Sequence, residues 1–352
     1  MGDCDHSFID TPFSQRPIII LGAGIIGCAA ARQLLLNGFS VTLVAEHLPG
    51  DQDISYASAW AGAAWHAAGG ISPDHRYVQA VSYRHLLKMA RDEPDSGVCI
   101  VDSREYVEQP PSKDSSAWGR TILPKFRHLE AGEYPTGFNC GWAYQTVVTD
   151  PTRHMPYLRD KIISLGGTFI RKRVEALEEL YALFPDSRIF INASGNGSKT
   201  LLDVQDQKCF PERGQNVFYR TTKCNTFYFQ NGKTYTYIIP RPLSQAVILG
   251  GVKQRDNLSS EVDMDIARDE IARAHYLAPE IVPENPPEES LSYIVGIRPS
   301  REGGFRLDSE QIGNRLVLSA YGFGGGGYAF SYGIGDAIVK MVETAEKSTV
   351  IL

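Results

Sequence analysis

The chain lacks any CxxC pair, any HxxxH or HExxH group and any Cys/His set at metal-ligand spacing; its six cysteines stand singly at positions 4, 28, 99, 140, 209 and 224. A disulfide framework and a structural metal are thereby disfavoured, and the thiols read as reduced in a reducing compartment. No apolar run approaches the roughly 20 residues that span a bilayer. The longest, Pro17 to Ala31, is cut by Gly22, Gly24 and Gly27. The first sixteen residues carry Asp3, Asp5, His6 and Asp10 in place of the basic start and apolar middle of a secretory signal, which predicts an intracellular chain. Basic charge is in deficit, with 35 Lys and Arg against 41 Asp and Glu for a net charge of −6, so neither nucleic acid nor an anionic membrane is an expected partner. Internal repeats, heptads and low-complexity tracts are missing. So are a GxSxG nucleophile elbow and an isolated carboxylate pair of the kind that performs acid/base hydrolysis.

What is present is ordinary globular text: 352 residues, 43% apolar and 22% charged, a length that implies about two domains. Pro17 to Leu21 is a short β-branched run consistent with a strand buried on both faces. It leads into glycines and a helix-forming stretch, CAAARQLLL, stopped by Asn37 and Gly38, and then into a second apolar run, Val41 to Ala45. This is a βαβ unit, and it predicts a parallel sheet covered by helices. Asp150 to Leu165 reads as a helix with Asp150 as N-cap and Pro151 at the first position, followed by a strand at Thr168 to Arg171. Ser187 to Gly197 repeats the theme of a buried strand opening into glycines. Between these pieces the scattered prolines of 94–135 leave the parallel sheet, and Gly214 to Val252 alternates in the manner of an antiparallel meander. A helix over Asp263 to Leu277, strands at Ser292 to Ile297 and Leu316 to Ala320, and a helix from Gly335 to Glu346 complete the reading. The expected fold is α/β: a Rossmann-like parallel-sheet domain from 17–70, 142–205 and 296–352, interleaved with an α+β domain on a mostly antiparallel sheet from 71–141 and 206–295.

Gly22-Ala23-Gly24-Ile25-Ile26-Gly27 is a GxGxxG placed between strand and helix. Its first glycine allows the tight turn, its second lets a pyrophosphate approach the backbone, and its third lets helix and strand pack closely. Glu46, at the end of the second strand, stands where a ribose-binding acid is expected. The fingerprint serves NAD and FAD alike. Ser55 to Trp65, SYASAWAGAAW, is stripped of bulk and suits either a large flat ligand or a tightly packed core helix. With NASG at 192–195 and YGFGGGGY at 321–328, these segments resemble the D-amino-acid oxidase family of FAD enzymes, its fungal members above all. The resemblance runs from Pro17 to about Met341 and includes Val44-Ala45-Glu46, Arg213-Gly214-Gln215, Tyr237-Ile238-Ile239-Pro240-Arg241-Pro242 and Gly296-Ile297-Arg298-Pro299-Ser300-Arg301.

That resemblance implies FAD as cofactor and oxidation of a D-amino acid to the imino acid, hydrolysed to a 2-oxo acid and ammonia, with dioxygen reduced to hydrogen peroxide. It implies that Arg298 forks onto the substrate carboxylate, that Tyr237 bonds the same group, and that a backbone carbonyl within Gly325 to Gly327 holds the amine. FAD contacts implied in the same way are Gly22, Gly24, Ile25, Ile26 and Gly27, then Glu46, then Ser58, Gly62 and Ala63. Val174, Ser194, Gly195 and Arg298 follow, and the last glycine cluster adds Gly324, Gly325, Gly326, Gly327, Tyr328 and Ser331. The related D-aspartate oxidases carry two extra basic residues, where this chain has Gln230 and Lys253. Neutral D-amino acids are therefore the expected substrates, D-aspartate the second choice, and an NAD(P)-dependent dehydrogenase a distant third. Lys233 replaces a lid tyrosine of mammalian relatives, Tyr235 lies nearby, and a short turn at Asn231-Gly232 predicts a short lid. The family implies a homodimer and a peroxisomal location, but the terminal Thr349-Val350-Ile351-Leu352 shares only leucine with the Ser-Lys-Leu address, leaving the cytoplasm as the alternative.

Overall fold

The computed structural model describes residues 16–68, 71–108, 117–232 and 234–349. In chain order these form β1 (Ile18–Leu21), α1 (Ile25–Leu36), β2 (Val41–Ala45), α2 (Pro73–Asp92), β3 (Val98–Val107), β4 (Arg127–His128), β5 (Cys140–Thr149), α3 (Pro151–Ser164), β6 (Thr168–Arg171), α4 (Leu177–Leu183) and β7 (Ile189–Asn192). The second half supplies β8 (Cys209–Arg220), β9 (Thr226–Asn231), β10 (Tyr235–Arg241), β11 (Ala246–Gly250), β12 (Gln254–Arg255), α5 (Met264–Leu277), β13 (Leu291–Arg301), β14 (Arg306–Ile312), β15 (Arg315–Tyr321) and α6 (Gly327–Thr349).

Six strands make one sheet in the order β14-β15-β7-β1-β2-β6, parallel except for the β14–β15 hairpin. Its central strands β7, β1 and β2 are buried at every position because both faces are covered, and only Thr42 and Asn192 among their residues are polar. Ile18, Ile20, Val41 and Leu43 pack with the helical layer on one side, and Ile19, Leu21, Val44 and Phe190 pack with Leu177 and Leu180 of α4 on the other. The second, nine-stranded sheet is antiparallel except where β3 runs parallel to β9. Its strands alternate strictly. Thus Ile238, Val247, Leu249 and Val217 face the core under α5, while Phe227, Phe229, Tyr237, Ile239 and Ile248 face the first sheet. The expected α/β class with a parallel and a mostly antiparallel sheet is the fold found. No described helix is long and apolar enough to cross a membrane.

Three expectations are corrected. The expected boundaries at 141/142 and 295/296 fall inside β5 and β13, both strands of the nine-stranded sheet. β13 stays in register with β8 from Leu291 opposite Tyr219 to Arg301 opposite Cys209, so it cannot be divided. Helix α2, assigned to the second domain, packs chiefly against α6 while also touching β3 and β5. The last helix begins at Gly327, eight residues before the expected Gly335, despite Gly333 and Gly335 in its path. Those glycines are there for close approach: a Cβ at 333 would strike the carbonyl of Val78 in α2, and one at 335 would lie 2.8 Å from Gln33 Cγ in α1. Packing overrides the propensity cost of two mid-helix glycines.

Residues 55–65 form neither helix nor strand. They run as a strap between the sheets, with one short helical turn at Ala57–Ala59 and Ala63 in the left-handed region at φ 58°. The buried pair Asp150–Arg241 pins it: Arg241 Nη1 lies 3.2 Å from Asp150 Oδ1, while its Nη2 donates to the Ala61 carbonyl at 2.8 Å. Asp150 also caps α3 through the Thr152 amide and accepts from Ser244. Burial alone would raise its pKa, but the charge of Arg241 and the bonds from Ser244 and Thr152 prevail and hold it below the ordinary carboxylate value. Asp150→Asn leaves the guanidinium buried without a counter-charge and is expected to cost about 3 kcal/mol, read as a lower urea midpoint at neutral pH. Because the folded-state pKa is depressed, that contribution is present at neutral pH and is lost as pH falls through the folded value, so the two proteins converge in acid.

Candidate active site

β1 ends where the strand order reverses, with β2 and β6 to one side and β7, β15 and β14 to the other, and a crevice opens there beyond the strand ends. Gly22 takes φ +102° to make the turn, and a Cβ on it would lie 2.8 Å from the Ala193 carbonyl carbon. Gly24 is the N-cap of α1. No side chain caps that helix and its first turn holds no acid, so the positive helix end faces the crevice with one amide, Ile25 N, given to Ser58 Oγ at 2.9 Å. Gly27 serves packing, since a Cβ there would enter the carbonyl of Gly22. Glu46 is exposed at the end of β2, its Oε1 3.4 Å from Arg173 Nη1.

From this turn a single cavity of about 400 Å³ runs between the sheets. Gly22, Gly24, Ile25, Ile26, Glu46, Val174, Ser194 and Gly195 line it near the turn, with Gly327 against Ile25; Ser58, Gly62 and Ala63 of the strap line it next, with Tyr328 bonded to the Ser58 carbonyl; Tyr237 and Arg298 line the far end with Gly325 beside Arg298, and Gly324 also lines the cavity. Three residues named with them do not line it, the packing glycine Gly27 being one. Gly326 points toward the Phe330 ring, and Ser331 is fully buried with its hydroxyl donating to the Tyr328 carbonyl. Gly326 closes the short helical turn Gly324–Gly326, and Ser331 already lies in α6, which turns its side chain inward.

At the far end Arg298 reaches from β13 across β8. Nη1 donates to the Val252 carbonyl at 2.9 Å and lies 3.5 Å from Glu212 Oε2. The path exists because Gly214 has no side chain: a Cβ there would coincide with the guanidinium, 2.6 Å from its Cζ. Gly296, opposite Gly214 in register, makes room for Trp60 of the strap in the same way. Tyr237 stands beside Arg298 on β10 with its hydroxyl donating to Asn216 Oδ1. Its ring lies flat against Gly250 and Gly251, where any Cβ would collide with it. Burial pushes the Tyr237 phenol well up, so it stays neutral and remains a hydrogen-bonding group.

Around this pair the wall is aromatic. Tyr235 meets Tyr237 edge-on at 5.3 Å, Phe227 stacks with Phe229 at 5.9 Å, and the His66 ring lies 4.5 Å from Phe229. Burial drives the His66 pKa down to about 4, so the imidazole is neutral. Lys253 is exposed, with Nζ 4.3 Å from the Tyr235 ring centroid, whereas Gln230 is buried and donates to Glu108 Oε1 at 3.1 Å. Lys233 falls outside the described residues. The segment expected to form a short lid joins β9 to β10, which pair from Tyr235 opposite Asn231. Asn216, His66 and the aromatic wall had no linear signal, since each is an ordinary core residue until the sheets meet. Gly214, Gly250 and Gly251 did have one, as glycines beside or inside strands mark close approach.

The arrangement defines a protein with the glycine turn and open helix end of a dinucleotide site and a buried arginine at the far end of the cavity that runs from it. A family model for FAD dependent oxidoreductases, DAO, matches residues 17–341, and the chain belongs to that family. It is 29% identical over 326 residues to a D-amino-acid oxidase of Schizosaccharomyces pombe, covering 91% of this chain and 94% of that one. It is 31% identical over 365 aligned residues to a D-aspartate oxidase of Talaromyces thermophilus, covering 94% and 96%. Among solved structures, glycine oxidase from Geobacillus kaustophilus shares the fold with a TM-score of 0.69 at 17% identity, over 94% of this chain and 95% of that one. The protein is thus an FAD-dependent oxidoreductase, and the uncapped helix end, the glycine turn and the long cavity fit that cofactor. Gly214→Ala is expected to displace the Arg298 guanidinium and weaken carboxylate binding by about tenfold to a hundredfold. Retained FAD, read from the visible spectrum, should stay at the wild-type level.

Proposed function

We propose that the protein oxidatively deaminates D-amino acids, giving the imino acid that water converts to a 2-oxo acid and ammonia, with dioxygen reduced to hydrogen peroxide. The observation that carries this reading is the Arg298–Tyr237 pair at the far end of the cavity. Arginine is permanently charged and forks onto a planar carboxylate, the one group every amino acid presents, and the neutral Tyr237 hydroxyl adds a second bond by turning its one proton from Asn216 Oδ1 to the carboxylate. Two fixed contacts on the carboxylate and one from a backbone carbonyl of Gly325 to Gly327 on the amine orient the α-carbon. Orientation of this kind supplies much of the rate enhancement without a side-chain base. When bound, the flavin supplies the two-electron acceptor chemistry. In this reading the six-stranded sheet carries the cofactor and the nine-stranded sheet the substrate. A homodimer and a peroxisomal location belong to the proposal through family resemblance.

Neutral side chains suit the pocket best, because Phe227, Phe229, Tyr235 and the uncharged His66 would surround them and Gln230 is engaged by Glu108. The second reading, D-aspartate, rests on Lys253, whose ammonium is held over Tyr235 at the aromatic wall. A peroxide-coupled assay across D- and L-amino acids tests the whole, and peroxide from L-amino acids alone would overturn it. Arg298→Met should raise KM by at least about a hundredfold, the cost of losing a charge-assisted fork, at unchanged FAD content. An unaltered KM removes the clamp. Lys253→Met should lower kcat/KM for D-aspartate by about tenfold, leaving D-alanine within about twofold, if the second reading holds.

A further inference from the structure

Behind the clamp, on the opposite face of the nine-stranded sheet, α5 buries a carboxyl that the chemistry above does not use. Glu270 is wholly inaccessible to solvent, and neither Oε1 nor Oε2 has a hydrogen-bond partner. It lies between Ala267 and Ala274 on the helix face that packs against Val217, Ile238, Val247 and Leu249. The basic groups nearby are committed elsewhere. Arg213 of β8 donates to Ser259 O, Gln254 Oε1 and Gln215 Oε1, and Arg273 to Asp269, Tyr235 O and Thr236 Oγ1. An unpartnered carboxylate in such a place is costly, so the group is held as the neutral acid. Burial, opposed by Arg273 but reinforced by Asp269, pushes its pKa up to about 9.

Glu270 is not electrically isolated from the cavity. Helix α5 packs directly on β8, β10 and β11, and Arg273 of the same helix donates to Tyr235 O and Thr236 Oγ1 of β10, so the charged groups facing Glu270 are Arg273 and Asp269 on its own helix, Arg213 on β8, and Arg298 and Tyr237 across the sheet. Near the clamp the sheet is thin, because Gly214, Gly250 and Gly251 put no side chains between the guanidinium, the Tyr237 ring and the backbone.

We propose that Glu270 is an electrostatic positioning residue of the carboxylate clamp: uncharged, it leaves the field of Arg298 to the ligand, and charged, it draws on that field from the back of the sheet. The proposal rests on the clamp reading of Arg298. The holoenzyme tests it with benzoate, a monocarboxylate with no other titrating group, its dissociation constant followed by calorimetry. For the wild type the constant should rise roughly tenfold between about pH 7.5 and about pH 10, the effect of one unit charge acting through the protein interior. Glu270→Gln and the apolar Glu270→Met, either of which suffices, should hold it within about twofold over the same range. A flat wild-type profile, or a variant that keeps the wild-type rise, overturns the proposal. No benzoate binding by the wild type at the lower pH removes the clamp itself, which is a different result.

Discussion

A permanently charged guanidinium stands at the far end of the cavity among Tyr235, Tyr237, Phe227 and Phe229, and much of the far half of the molecule follows from keeping it there. Arg298 is largely withdrawn from water, so its donors need acceptors and its charge needs a partner at a distance that leaves room for a ligand. The Val252 carbonyl takes one donor and Glu212 stands off at 3.5 Å, near enough to offset charge and too far for a tight pair. Residues 212 and 298 face each other across the β8–β13 register, so the same ladder that builds the sheet sets this separation.

Close approach is the second constraint, and glycine meets it at both ends of the cavity. At the nucleotide end Gly22 lets the turn pass under the residues after β7, and Gly27 lets α1 sit on that turn. At the far end Gly214 clears the path of Arg298, while Gly250 and Gly251 give the Tyr237 ring a flat floor. These positions bear no chemistry, yet a methyl group at any of them displaces a group that does.

The strap at 55–65 joins the two ends. Ser58 accepts from the α1 amide of Ile25, and its carbonyl accepts from the Tyr328 hydroxyl of α6. Ala61 accepts from Arg241, Ala63 from the Thr149 amide, and Trp65 N donates to the Val147 carbonyl. A segment with no regular structure is therefore tied to the first helix, the last helix, β5 and β10 at once. Small side chains leave its inner surface free to line the cavity, so the stability of the Asp150–Arg241 pair and the shape of the binding space are linked.

Local text was enough for the elements whose signals are local. Strand β1, the glycine turn, α1 and β2 follow from a β-branched run, three glycines and a stop at Asn37-Gly38, and α3 follows from Asp150 and Pro151. Arg298 and Tyr237 were singled out as candidates only through family likeness, since an arginine or tyrosine in a strand carries no mark of what it faces. Tertiary structure alone decided the rest. It drew β5 and β13 whole into the antiparallel sheet, carried α6 back through Gly333 and Gly335, turned Ser331 away from the cavity, and set His66 and Asn216 in the wall with Arg298 and Tyr237, and Glu270 on the other face of the same sheet. The physical reason is that propensity and turn chemistry act over a few residues, whereas burial, charge and clearance depend on which distant side chains meet.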